Sequence, residues 1–288
     1  MSINRRNFLR ATFGTTLATA VGVRAPLWGA QERGANDLVL LGPDKVRLSR
    51  LATGLGTVSG SLQRKLGLQG LADYLHYGFD QGITYWDTAD AYGTHPHVKE
   101  GLRSVPREKV AIMSKARATT ADKMKEDLDR FRHELGTDYI DIVLMHAITS
   151  PTWPEDLKGP MEVLAEAREK GIIRTHGLSC HSLAALQAAV KTPWAHVVLS
   201  RVNPAGMRMD GAPSVVVPVL RQLKAAGKGV IGMKILGEGG LRDRVDECLR
   251  YVMSLDCVDC FTIGAGNRTE LADLIKRIPV AARTPMAA

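Results

Sequence analysis

The segment Gly82-Ile-Thr-Tyr-Trp-Asp-Thr-Ala-Asp-Ala-Tyr-Gly93 decides the fold. A short β-type run, Ile83 to Trp86, delivers a carboxylate, Asp87, and five positions later a small-residue loop presents an aromatic hydroxyl, Tyr92. Two further apolar runs end in the same way. Val110-Ala-Ile-Met-Ser stops on Lys115, and Ile140-Asp-Ile-Val-Leu-Met stops on His146. Successive strands that each finish on an ionisable residue describe the functional face of a barrel, where chemistry sits at the C-terminal strand ends.

Outward from these three, β-type runs fall near residues 50–56, 84–87, 110–114, 140–145, 175–179, 197–202, 230–236 and 260–264. Helical patterns alternate with them. Residues 121–135 place Met124, Leu128, Phe131 and Leu135 on one apolar face, with Thr119 or Thr120 as cap and Gly136 as stop. Residues 161–170, 182–190, 215–226, 241–255 and 269–278 continue the series. Parallel strands need crossovers, so this α/β alternation implies a parallel sheet. Eight units argue for closure into a (β/α)8 TIM barrel. No Gly-x-Gly-x-x-Gly follows the first run, against a Rossmann domain. Leu38-Val-Leu-Leu-Gly and Lys45-Val-Arg-Leu predict an N-terminal β-hairpin that plugs the barrel bottom.

The 288 residues are 45% hydrophobic, enough for one large core or two small ones. The net charge of +8 includes Arg5, Arg6, Arg10 and Arg24, and no nucleic-acid-binding module accompanies it. Asn4-Arg-Arg-Asn-Phe-Leu-Arg10, followed by the uncharged stretch 11–23, reads as a Tat-type signal peptide over residues 1–30. The apolar stretch is too short for stable membrane insertion. The expectation is therefore a barrel domain at 31–288, exported to the periplasm by the Tat machinery, or cytoplasmic if the leader does not function. Cys257-Val-Asp-Cys260 lacks the second ligand pair of a zinc site, and with Cys180 and Cys248 reads as packing. No metal site is expected.

The four residue types at the barrel mouth define a chemistry. A carbonyl that takes up hydride develops negative charge on oxygen and needs a proton donor. Tyr92 is the candidate, with a free pKa of about 10 that an adjacent ammonium lowers. Lys115 supplies that charge, Asp87 holds the lysine, and His146 hydrogen-bonds the carbonyl. His95 and His97 read as residues that line the mouth or cap a helix, with metal ligation the alternative. Trp153, in Pro151-Thr-Trp-Pro154, is read either as a wall for an apolar substrate or as loop packing.

From about Leu48 to Ile275 the sequence resembles the aldo-keto reductases. The most specific piece is Asp87-Thr-Ala-Asp-Ala-Tyr-Gly93, joined by Ser114-Lys115, Tyr139-Ile-Asp-Ile-Val-Leu-Met-His146 and Gly171-Ile-Ile-Arg-Thr-His-Gly-Leu-Ser179. The resemblance implies reduction of a small-molecule aldehyde or ketone with NADP(H), or with NAD(H), and Asp87, Tyr92, Lys115 and His146 as catalytic tetrad. It implies cofactor contacts at Gly56, Thr57, Ser179, Lys234, Leu236, Gly237, Gly264, Gly266, Asn267 and Arg268, the last pairing with a 2′-phosphate. Cys180, Leu199 and Val202 depart from the residues the family uses around the nicotinamide, and Lys234 replaces a phosphate-binding serine. Those departures leave an alternative, a cofactor-binding or interaction module with little turnover. An epimerase or lyase with the same acid–base groups is a third reading.

Overall fold

The computed structural model describes residues 33–284. The twin-arginine leader expected over residues 1–30 lies outside them. An antiparallel hairpin of β1 (Leu38–Leu41) and β2 (Val46–Ser49) precedes the barrel, with Leu38 opposite Ser49. Eight parallel strands follow: β3 (Leu51–Gly54), β4 (Tyr85–Asp87), β5 (Ala111–Ala116), β6 (Ile140–Ile148), β7 (Ile173–Cys180), β8 (Val197–Arg201), β9 (Gly229–Met233) and β10 (Cys260–Ile263). Each pairs with the next and β10 closes on β3, giving the expected (β/α)8 barrel.

The helices are α1 (Ser61–Arg64), α2 (Gly67–Asp80), α3 (His95–Gly101), α4 (Ala121–Leu135), α5 (Trp153–Asp156), α6 (Lys158–Glu169), α7 (Leu183–Lys191), α8 (Pro213–Ala225), α9 (Val245–Ser254) and α10 (Arg268–Arg283). Helix α4 has the predicted bounds. Thr120 accepts the Lys123 N–H at 3.3 Å, Gly136 ends it in the left-handed region, and the buried face carries Met124, Leu128, Phe131 and Leu135. Helix α2 was not anticipated. It begins without a side-chain cap, and its buried face of Leu71, Ala72, Tyr74, Leu75 and Gly78 mixes small and polar-tipped residues into the apolar period.

Strand alternation explains how the hairpin plugs the barrel. Val39, Leu41, Val46 and Leu48 form one buried cluster with the inward residues Tyr85, Met113, Leu144, Leu199 and Ile231. The turn at Gly42 has φ +62, and a Cβ there would lie 3.1 Å from the His196 carbonyl, so the turn docks flush on the barrel bottom. Asp44 then receives Thr175 and His196 at 2.6 Å and Arg168 at 2.7 Å. Cys180, Cys248, Cys257 and Cys260 are buried and free, the packing role expected of them.

Candidate active site

The inward rows of three neighbouring strands run apolar until their last member. On β4 the row is Tyr85 then Asp87, on β5 Ala111, Met113, Lys115, and on β6 Ile142, Leu144, His146. The apolar members belong to the barrel-interior cluster, so the polar ones form the layer above it at the C-terminal mouth. Asp87 is 4% exposed and Lys115 1%. Lys115 Nζ is paired with Asp87 Oδ1 and donates to the Thr88 carbonyl at 2.8 Å. The same ammonium lies 4.8 Å from the centre of the Tyr92 ring. The Tyr92 and His146 rings meet edge to face, 5.8 Å apart.

Electrostatics sets the protonation of this group. Burial pulls the Lys115 ammonium down, but Asp87 and Tyr92 more than offset it and hold its pKa above the ordinary value. Burial pushes the Tyr92 phenol up; Lys115 opposes this without reversing it. The net rise differs from the lowering expected from sequence, because desolvation of the phenolate outweighs the neighbouring ammonium. Burial, with Lys115 and Arg117 acting the same way, drives His146 down to about 3. At neutral pH the mouth therefore holds a charged lysine, a protonated phenol and a neutral imidazole. His146 Nδ1 is buried without a partner, which leaves Nε2 to face the mouth.

His146 owes its position to an irregular backbone. The β6–β7 register shifts between Met145 and Ile148, and Ala147 sits at φ +60. The Ala147 N–H donates to Ser179 Oγ at 2.9 Å, holding the bulge and occupying that hydroxyl. Among the described residues, Ala147 near the end of β6 and Val58, Ser59, Arg208, Lys234 and Glu238 beyond strand ends adopt positive φ at this face, and Lys45 does so at the other end. Such strain concentrates where a fold over-determines a functional site.

Tyr92 is held from three sides. A Cβ on Gly56 would fall 2.5 Å from the Tyr92 ring, so only glycine lets the phenol seat there. Arg64 donates to the Tyr92 carbonyl. Arg130 on α4 bonds Asp90, which opens the 3-10 turn carrying Tyr92, at 2.8 Å, and is fixed by Asp127 and Glu134 at 2.9 and 3.0 Å. His95 is buried between Glu134 and Ser114, 2.7 and 2.8 Å away, supporting the strand of Lys115 from behind. Among the described residues no group of three or more His, Cys, Asp or Glu is arranged to hold a metal.

The residues expected at the cofactor lie on the adjoining arc. Thr57 Oγ1 donates to the Gly264 carbonyl at 3.2 Å and receives Gln63 Nε2 at 3.1 Å, joining the loops after β3 and β10. Lys234 is paired with Glu238, which Arg208 also approaches at 3.4 Å, next to Leu236 and Gly237. Asn267 caps α10 by accepting the Glu270 N–H at 3.0 Å, and Glu270 reaches back to the Gly266 N–H at 2.7 Å. Arg268 stacks on Tyr77, 4.2 Å from the ring centre. Leu199, Val202 and Cys180 are buried in the core.

Trp153 is also fully buried, with its Nε1 donating to the Ala185 carbonyl at 3.3 Å, so the packing reading holds and it lines no substrate wall. Sequence reasoning missed Gln63, Arg130 and Arg201. The inward row of β8 runs Val197, Leu199, Arg201, the same signal that marked Lys115. A cavity of about 510 Å³ beside Asp44, Arg47 and Arg168 opens at the opposite, hairpin end, away from these groups.

Residues 51–251 match the family model described as the aldo/keto reductase family. The Glycine max protein named "Probable aldo-keto reductase 1" is 26% identical over 215 residues, 70% of this chain and 60% of that protein. The NAD/NADP-dependent indole-3-acetaldehyde reductase of Schizosaccharomyces pombe is 28% identical over 158 residues, 53% of each. The chain thus spans a little over half the length of these curated relatives. The crystal structure of an aldo-keto reductase from Klebsiella pneumoniae in complex with NADPH gives a TM-score of 0.67 at 18% identity, over 88% of this chain and 92% of that one. At that identity the likeness shows a shared fold.

Proposed function

The chain belongs to the aldo/keto reductase family, and on that premise we propose that it reduces a small-molecule aldehyde or ketone to the alcohol with NADP(H), Tyr92 giving the proton. The observation that carries this reading is the single layer in which Asp87, Lys115, Tyr92 and His146 meet. NADP(H), when bound, supplies the hydride to the carbonyl carbon. The chain does the rest. His146, neutral, donates from Nε2 to the carbonyl oxygen and orients it. Tyr92, protonated at neutral pH, transfers its hydroxyl proton to that oxygen as charge develops there. Lys115 then stabilises the phenolate, and Asp87 with the Thr88 carbonyl keeps the ammonium charged and still. Solvent returns the proton to Tyr92.

The cofactor edge fits a nucleotide. Lys234 and Arg208 share one carboxylate, Glu238, so one positive charge there is left for a phosphate. Gly56, Thr57, Ser179, Leu236, Gly237, Gly264, Gly266, Asn267 and Arg268 complete the proposed set. A 2′-phosphate at α10 would exchange with the Glu270 carboxylate that now caps it. The relatives that are NAD/NADP-dependent by name or crystallised with NADPH support this choice of carrier.

A second reading, a cofactor-binding module with little turnover, is favoured by one observation: the Ser179 hydroxyl is committed to the Ala147 amide. Mass spectrometry of the purified protein for bound nucleotide, with NADPH oxidation followed over a panel of carbonyl compounds, separates the two. Oxidation dependent on the carbonyl compound supports the reductase; cofactor fluorescence quenching without turnover supports the module.

Export by the twin-arginine route is proposed from residues 4–23. Cell fractionation with N-terminal sequencing tests it, and finding the protein only in the cytoplasm would refute it.

A further inference from the structure

The layer above the tetrad carries Arg117, His181 and Arg201. Alternation along β5 puts Arg117 two positions beyond Lys115, one residue past the strand end, in the inward phase. The parallel register pairs Lys115 with Leu144 and Ala116 with Met145, so the next step sets Arg117 beside His146. On β7 the inward phase runs Thr175, Gly177, Ser179 and then His181, whose N–H extends the ladder to the Ile148 carbonyl at 2.7 Å. The His181 ring lies 6.5 Å from that of His146. On β8 the same phase ends at Arg201.

The carboxylates around this layer are all engaged by cations other than Arg117. Asp87 pairs with Lys115, Asp90 with Arg130, Asp210 with Arg201, and Glu238 with Lys234 and Arg208. Arg117 is exposed and has no ion-pair or hydrogen-bond partner among the described residues. Its charge is felt at Tyr92, His146 and His181 alike.

Resting on the reductase reading, we propose that the substrate is a small carbonyl compound bearing a carboxylate or phosphate, and that Arg117 holds that anionic group. An unpaired guanidinium beside His146, one strand step beyond Lys115, favours an anionic substrate over a neutral or cationic one.

The test compares matched pairs, succinic semialdehyde against butyraldehyde and glyceraldehyde 3-phosphate against glyceraldehyde, in the full chain and its Arg117→Gln and Arg117→Lys variants. The expected result is a kcat/KM at least tenfold higher for one anionic member, a ratio that falls by about 10- to 100-fold in Arg117→Gln through KM, and partial recovery in Arg117→Lys. The pair that responds tells carboxylate from phosphate. Binding of succinate and of inorganic phosphate, measured by calorimetry, needs no turnover, and one of them should bind and weaken tenfold or more in Arg117→Gln. Equal use of charged and neutral substrates overturns the proposal, as does equal anion binding by wild type and variant. Loss of all turnover with anion binding intact would count against the reductase reading alone.

Discussion

Replacing Lys115 by methionine separates what this residue does for stability from what it does for chemistry. The side chain is 1% exposed and its partner Asp87 4%, so truncation strands a buried carboxylate. Breaking such a pair costs about 3–5 kcal/mol, and the Thr88 carbonyl, which loses its 2.8 Å donor, adds about 1 kcal/mol or slightly more. The single variant should therefore lose about 4–6 kcal/mol. In the double variant Asp87→Asn with Lys115→Met the stranded charge is gone, and the loss should shrink to about 1–2 kcal/mol. The difference between single and double variant, about 2–5 kcal/mol, is read from urea midpoints by far-UV circular dichroism. Carbonyl reduction should stay abolished in both, because the phenolate of Tyr92 has lost its ammonium. A single variant within about 1 kcal/mol of wild type, or a double variant that regains turnover, refutes the reasoning.

Gly56→Ala should fold, yet cut kcat by about 100-fold or more, since its Cβ would overlap the Tyr92 ring at 2.5 Å; steady-state kinetics with circular dichroism checks both halves. Arg130→Met frees Asp90 and the turn carrying Tyr92, and should lower kcat by about tenfold with little change in KM. Burial holds His176 down at about 3, so the unfolded chain binds a proton that the folded chain refuses. Stability from this group is full above about pH 6.5 and is lost as pH falls from about 6.5 toward 3, at about 1.4 kcal/mol per unit. His176→Phe should reduce that slope by one proton, and an unchanged slope would contradict the assignment. Reduction itself should stay flat through neutral pH and decline only above about pH 10, since Tyr92 is raised from that ordinary value.

The fold was legible because strand period and helix period alternate cleanly along the chain. The tetrad was legible because Asp87, Lys115 and His146 each end an apolar inward row. Arg201 obeys the same rule, but the run 197–202 continues past it to the apolar Val202, so the ionisable residue does not stand at the run's end. The bulge that aims His146 leaves no sequence trace, for Ala147 takes a left-handed conformation normally given to glycine. Support from a distance was equally hidden: Arg130 lies 40 residues from Asp90, and Gln63, which bonds the Ala265 carbonyl at 3.1 Å, lies 202 residues from it. For Trp153 a Pro-rich loop after a strand left wall and packing equally open, and the structure decides for packing, its ring 6.0 Å from that of Trp194.

The most direct test of the account is Tyr92→Phe, which removes the hydroxyl and keeps the ring on Gly56. NADPH oxidation with a turned-over aldehyde and quenching of cofactor fluorescence are measured on the same preparation. Turnover should be lost while cofactor affinity stays within about threefold of wild type. Near-normal turnover in Tyr92→Phe would contradict the proton-donor role.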